Sequence, residues 1–389
     1  MIPMKKITIV LHLFLSISLF SQQIINHTID SYELDEKREV RIYLPASYNE
    51  DTERQYPLTV VFDAEYLFDV YVGNAILFAQ KDKAPEQIII GINQNYNDIL
   101  RYRDCAFDKN TSYPTGKSES FYRFIRSEVL AYLEENYRVS PFRTIVGNTL
   151  TANFTNYFFI EDSPGFNAFI NINPNYAPDM SSLLVSNAQN VSKNSYYYYL
   201  NGGDYISEKR AKGIAATNSQ LASIKNEKFN YKYDDLSGST SISSIGQAIP
   251  RALAFIFEIY SSISKQEFNT KIKDLSPRDA IAYLENKYLD SEYLFGTNPS
   301  LRERDVYAIE SIIIDKENGD YLRDFGEMIA RLSPKSHLGD YYIGLSFEMK
   351  GRYKRAIEAY KEGYMKIKNS PDNAERFYQN VERVAKKMN

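Results

Sequence analysis

The chain has 389 residues, 43% hydrophobic and 25% charged, enough to bury a large core across two or three domains. Its net charge is -4 and no block of lysine or arginine stands out, which removes the electrostatic case for a nucleic-acid partner. The single cysteine, Cys105, excludes an internal disulfide and a cysteine zinc cluster.

The N-terminus reads as a targeting segment. Lys5-Lys6 precede the apolar run Ile7 to Phe20, and Ser21 is a small residue at a plausible cleavage point. The run is short for a membrane span, and no later run is long and apolar enough to cross a bilayer. No cysteine near the cleavage point offers a lipid anchor. The expectation is a signal peptide over 1–21 and a secreted or periplasmic mature chain with no direct membrane span.

Residues 22–50 read as β, with Glu39 to Pro45 alternating at period two. Tyr56 to Asp63 is a continuous apolar run, the mark of a strand buried on both faces. Val70 to Gln80 reads as a helix and Glu86 to Ile92 as the next buried strand. Phe121 to Tyr137 is helical by spacing, with Phe121, Phe124, Ile125, Val129, Tyr132 and Leu133 on one side. Thr144-Ile145-Val146 is a short buried strand, Gly147 opens a tight turn, and Ala152 to Ile160 is an apolar helix. Phe166 to Ile172 and Ser195 to Leu200 follow as strands, then a helix over Glu208 to Ile224, a strand over Phe229 to Tyr233 and a closing helix over Ile249 to Ile263. Strands alternating with helices predict a mostly parallel sheet covered on both faces.

After about Ser264 the pattern is helix alone. Six segments qualify: 277–288, 302–316, 320–332, 337–350, 352–368 and 372–387. Gly344, Phe347, Gly351, Tyr353, Ala356, Tyr360 and Gly363 have tetratricopeptide-like spacing, with a generic helical bundle as the alternative. The expected organisation is an α/β domain over 22–263 and a helical domain over 264–389. A repeat of that type would present a surface to a protein partner.

Several stretches, in order, resemble the esterase family of α/β-hydrolases that includes esterase D and the enterochelin esterases. Arg41 to Pro45 followed by Tyr56 to Asp63 is similar to its opening pattern. Ile90-Gly91-Ile92 with Arg103-Asp104 resembles the next, and Phe121 to Tyr137 looks like its helix. Ile145 to Ala152 takes the place of its nucleophile elbow, a G-x-S-x-G turn that exposes a serine between strand and helix. Here that frame reads Gly147-Asn148-Thr149-Leu150-Thr151. The resemblance implies a nucleophile place at Thr149 and backbone oxyanion donors near Asp63, Ala64 and Leu150. It places the acid at Asp204, with Glu208 as the alternative. The histidine place falls at Thr240 or a neighbour, ahead of the intact ending Ala252 to Phe257.

The chain has three histidines, His12, His27 and His337, and none lies where the family's catalytic base would be. Threonine can act as a nucleophile, but its β-methyl crowds a strained elbow. Thr151 replaces the glycine that lets helix and strand approach. No H-E-x-x-H, P-loop or post-strand G-x-G-x-x-G is present, and Asp179 and Asp234-Asp235 read as solvated loop acids, so neither metal nor cofactor is expected. Three functions stay open. One is an esterase-like protein that has lost Ser-His-Asp catalysis and binds or scaffolds in the cell envelope. Another is a carboxylic-ester hydrolase with Thr149 as a non-standard nucleophile. The third is a carbohydrate or siderophore binder that uses the old pocket. The expected ligand is a small ester or siderophore-like molecule.

Overall fold

The computed structural model describes residues 23–94, 99–161, 165–192, 196–203, 207–297, 299–315, 320–367 and 371–388. The expected signal segment over 1–21 and the expected acid Asp204 lie outside the described residues. The described chain divides into two compact units. One holds residues up to Ile76 and Glu86–Ala252, and the other holds Leu77–Pro85 and Leu253–Asn389.

The first unit is built on an eight-stranded sheet in the order β1-β2-β4-β3-β5-β6-β7-β8. β1 (Gln23–Ser31) and β2 (Glu36–Leu44) form an antiparallel hairpin, and β2 runs antiparallel to β4 (Ile88–Ile92). From β4 through β3 (Tyr56–Val61), β5 (Val139–Asn148), β6 (Ala168–Ile172), β7 (Tyr196–Gly202) and β8 (Phe229–Asp235) every pairing is parallel. All residues of β3, β4 and β6 are buried, as their unbroken apolar runs require. The chain goes from β3 outward to β4, then crosses back to β5 and continues the other way. The switch point therefore lies between β3 and β5, and their carboxyl ends frame the crevice where such sheets bind ligands.

Four expectations shift. The strand expected over Thr144-Ile145-Val146 is the inner part of a ten-residue β5. A helix over Met180–Asn190 was not expected, because its Ser and Asn content hides a weak apolar period. The closing helix runs over Ser241–Ile256 and not from Ile249. Its polar opening reads as loop, and Pro250 reads as a helix start although it sits inside. The helix expected over Phe121 to Tyr137 begins earlier, at Lys117, and holds a π-helical turn over Phe124–Val129 before Leu130–Asn136.

The helix Leu150–Phe159 is buried from Thr151 to Phe159. Phe154 meets Phe62 edge-on at 5.7 Å and Phe121 at 5.3 Å. Its polar residues are satisfied inside the core: Thr155 Oγ1 donates to Asn171 Oδ1 at 2.7 Å, and Tyr198 OH donates to Asn156 Oδ1 at 2.7 Å.

In the second unit the helices Pro277–Phe295, Glu303–Asp315, Tyr321–Leu332, Leu338–Met349, Tyr353–Ile367 and Pro371–Lys386 match the six expected segments. The small residues in the repeat-like spacing admit close neighbours. A Cβ at Gly344 would stand 2.6 Å from the Tyr360 ring, and one at Gly363 would meet the Phe377 ring. Glu348 is almost fully buried, and Tyr360 OH at 3.0 Å, Lys387 Nζ at 2.9 Å and Arg383 donate to it. Among the described residues no helix is long and apolar enough to cross a membrane. Gly344→Val should lower stability by about 1–3 kcal/mol through overpacking against Tyr360. Chemical denaturation checks this, and an unchanged midpoint would contradict it.

Candidate functional site

β5 ends in the turn that carries Thr149. Gly147 is required there, because a Cβ would lie 2.5 Å from the Thr151 backbone. Thr149 has φ 57° and ψ -102°, a conformation costly for any side chain and more so for a β-branched one. The sharp strand-to-helix elbow is thus fully formed with threonine at its tip. The Thr149 amide donates to the Ile172 carbonyl at 2.8 Å, and the Thr149 carbonyl accepts from Asn153 N at 3.2 Å and Asn175 N at 3.0 Å. These bonds hold the strained residue in place.

The group facing the Thr149 hydroxyl is a cation. Arg101, from the short helix Ile99–Asp104, donates through Nη2 to Thr149 Oγ1 at 2.8 Å and to the Asn148 carbonyl at 2.8 Å. The same guanidinium grips Asp63 through Nε to Oδ1 at 2.6 Å and Nη2 to Oδ2 at 3.0 Å. Asp63 is 2% exposed and Arg101 16%, so the pair is largely desolvated and bidentate. Burial alone lowers the Arg101 pKa, but the hydrogen bonds and charge of Asp63 outweigh it and the net shift is upward.

Asp63 sits just past β3 with φ 53° and also accepts from Tyr66 OH at 2.9 Å and from Thr151 Oγ1 at 2.7 Å. Both of its oxygens are therefore occupied. The backbone amide of Asp63 donates to Gln94 Oε1 at 3.2 Å. Gln94 Nε2 reaches Asp104 Oδ2 at 3.4 Å, and Asp104 pairs with Arg38 at 2.6 Å. Burial pushes the Asp104 pKa up against the pull of Arg38. Burial also pushes the Tyr66 phenol far above its usual range, with Asp63 adding to the shift, so Tyr66 stays neutral.

The sequence-predicted residues divide. Thr149, Leu150, Asp63 and Ala64 lie at the carboxyl ends of β5 and β3, and Arg101 links Thr149 to Asp63. Leu150 and Ala64 are the first residues of the helices Leu150–Phe159 and Ala64–Gln80. Thr151 does not open the elbow. Its hydroxyl accepts from the Asn148 amide at 2.8 Å, so a side chain stitches the turn where a glycine would leave space. Glu208 is exposed and paired with Lys212 at 2.7 Å, which sets it apart from a buried triad acid. Thr240 is exposed, and its Oγ1 accepts from Ser243 N at 3.2 Å in the first turn of its own helix. His27 stacks on Tyr132 at 4.8 Å, and His337 packs edge-on against Phe377 at 5.6 Å without a side-chain cap bond. Among the described residues, no group of three or more potential metal ligands is present.

Arg101, Tyr66 and Gln94 complete the cluster and were not legible as site residues. Arg101 lies two positions before the family-like Arg103-Asp104, and nothing local separates it from an ordinary surface arginine.

Residues 31–154 match the sequence profile of the family described as "Putative esterase", a span that contains Asp63, Arg101 and the elbow. No functionally curated protein matches. An uncharacterised protein from Capnocytophaga ochracea superposes with a TM-score of 0.81 at 22% identity, covering 93% of this chain and 99% of that one. An IroE-like serine hydrolase from Shewanella oneidensis gives a TM-score of 0.57 at 17% identity, covering 80% and 98%. The BES protein from Bacillus cereus gives 0.52 at 18%, covering 61% and 97%. The first unit has an α/β-hydrolase fold, and a helix-rich region follows it.

Asp63→Asn should cost about 3–5 kcal/mol, because it strips the charge partner from the largely buried Arg101. Chemical denaturation reads this, and a loss within experimental error would show that the pair is not a fixed part of the fold.

Proposed function

We propose that this protein uses an esterase fold without Ser-His-Asp catalysis and serves as a binding or scaffold module in the cell envelope. The observation that carries the reading is Arg101 Nη2 at 2.8 Å from Thr149 Oγ1. A threonine nucleophile needs a general base within hydrogen-bond reach. A guanidinium has donors only and keeps its proton throughout the physiological range. Asp63 Oδ2 accepts from Arg101, Tyr66 and Thr151 and Oδ1 from Arg101, and neither oxygen hydrogen-bonds to the Thr149 hydroxyl. Among the described residues no other side chain hydrogen-bonds to Thr149 Oγ1.

The N-terminal segment with Lys5-Lys6 and the apolar run supports export. The helical unit supports the partner role. A cavity of about 350 Å³ opens there among the helices Glu303–Asp315, Leu338–Met349 and Pro371–Lys386, lined by Tyr307, Glu310, His337, Tyr341 and Phe377. Alternate helices facing one groove fit the tetratricopeptide-like reading and a peptide-bearing partner. The old elbow pocket would take a small ester or siderophore-like ligand without cleaving it.

The strained backbone of Thr149 favours a second reading, a carboxylic-ester hydrolase with a rebuilt base. The purified mature chain decides between them on p-nitrophenyl esters of short and long acyl chains. The binding reading expects no turnover above background, and none removed by Thr149→Ala. Turnover abolished by Thr149→Ala would overturn it.

A further inference from the structure

We propose that the cavity of the helical unit takes one cationic side chain of a protein partner, a lysine or an arginine, with its charge on Glu310 and its stem against the rings of Tyr307, Tyr341 and Phe377. The inference rests on the binding-module reading above and names the chemistry of the partner that this groove would take.

Tyr307 and Glu310 stand three residues apart on the helix Glu303–Asp315, so they share a face, and both line the cavity. His337 and Tyr341, at the start of the helix Leu338–Met349, and Phe377, from the helix Pro371–Lys386, line it too. The His337 and Phe377 rings meet at 5.6 Å and 77°, and the Tyr341 and Phe377 rings at 6.1 Å and 74°. Rings set nearly at right angles offer faces from more than one side, and an aromatic face attracts a cation. The volume, about 350 Å³, lies at the lower end for ligand sites, which suits one long side chain rather than a folded segment.

Glu310 supplies the charge. It is half-buried and makes no ion pair with a described residue. Burial raises its pKa, and the Tyr342 phenol opposes the rise. The described cations nearby are engaged elsewhere. Lys366 pairs with Asp340 at 2.7 Å, and Arg383 donates to Glu348 and to Asn380 Oδ1. Burial lowers the His337 pKa and Lys366 adds to the fall, against Glu303 and Asp340, so the imidazole stays neutral at neutral pH. Whatever fills the cavity strips water from the Glu310 carboxylate. A neutral filler would leave that carboxylate desolvated and unpaired, and an anion would be repelled by it. A cation on an apolar stem meets both demands, its head on the carboxylate and its methylenes on the rings.

Isothermal titration with Nα-acetyl-lysine amide and Nα-acetyl-arginine amide tests this, beside the neutral Nα-acetyl-norleucine amide. The native chain should bind a cationic probe saturably at one site, and the norleucine probe at least about tenfold more weakly. Glu310→Gln, checked for folding by circular dichroism, should weaken the cationic probe by at least about tenfold and leave the norleucine probe unchanged. Tyr307 is 44% exposed, so Tyr307→Leu removes the ring at little risk to the fold and should weaken the cationic probe severalfold. Arg376 precedes Phe377 in the sequence, and Arg376→Gln should keep or strengthen the binding. The proposal is overturned by equal affinity for the cationic and norleucine probes, by unchanged affinity in Glu310→Gln, or by no saturable binding to the native chain. It is also overturned by binding that arises only in Arg376→Gln, since the cation on Glu310 would then be the chain's own. The two readings fail separately. Thr149-dependent ester turnover sinks the non-hydrolytic reading, and unchanged affinity in Glu310→Gln sinks only the cationic side chain.

Discussion

The ion pair between Asp63 and Arg101 is the constraint on which the sheet edge depends. Asp63 stands just past the strand at the switch point, and Arg101 comes from the helix after β4. Their contacts, at 2.6 Å and 3.0 Å, tie the crossover back onto the elbow. Tyr66 and Thr151 add two more donors to the same carboxylate. A desolvated pair of this kind is costly to form and costlier to break, so it holds a single geometry. That geometry places a permanent cation on the hydroxyl that a hydrolase would need to deprotonate.

The elbow and the pair support each other. Thr149 sits at a positive φ that a β-branched residue resists, and strain of this kind costs about 1–3 kcal/mol. It persists because the Ile172 carbonyl, Asn153, Asn175 and Arg101 all bond to Thr149. Thr151 satisfies the Asn148 amide where the family's glycine would leave it free. The changes at 149 and 151 thus belong to one rearranged hydrogen-bond set, with Asp63 at its centre.

The sheet was legible because buried parallel strands write themselves as unbroken apolar runs, as in Leu58 to Phe62 and Ile88 to Ile92. The elbow was legible because Gly147 follows such a run and precedes an apolar helix. The helix Met180–Asn190 was not, since Ser and Asn serve turns as readily as a weakly amphipathic surface helix. Of the site, Thr149 and Asp63 could be placed by their position at strand ends. Arg101 could not, because its role arises from a contact across 38 and 48 residues of sequence, to Asp63 and Thr149, and no local pattern records it. Thr240 takes the histidine place only through the family resemblance, whereas its exposed hydroxyl caps a helix and donates to Ser243 Oγ at 3.1 Å.

The most direct measurement on the central claim is covalent labelling of Thr149 by a fluorophosphonate, read by intact mass and peptide mapping. A hydroxyl faced by a guanidinium, with no base among the described residues, should stay unlabelled, and so should the hydroxyl of Thr149→Ser, in which the nucleophile is restored and the same guanidinium faces it. An adduct at position 149 in the native chain would contradict the account and establish a working base at the elbow.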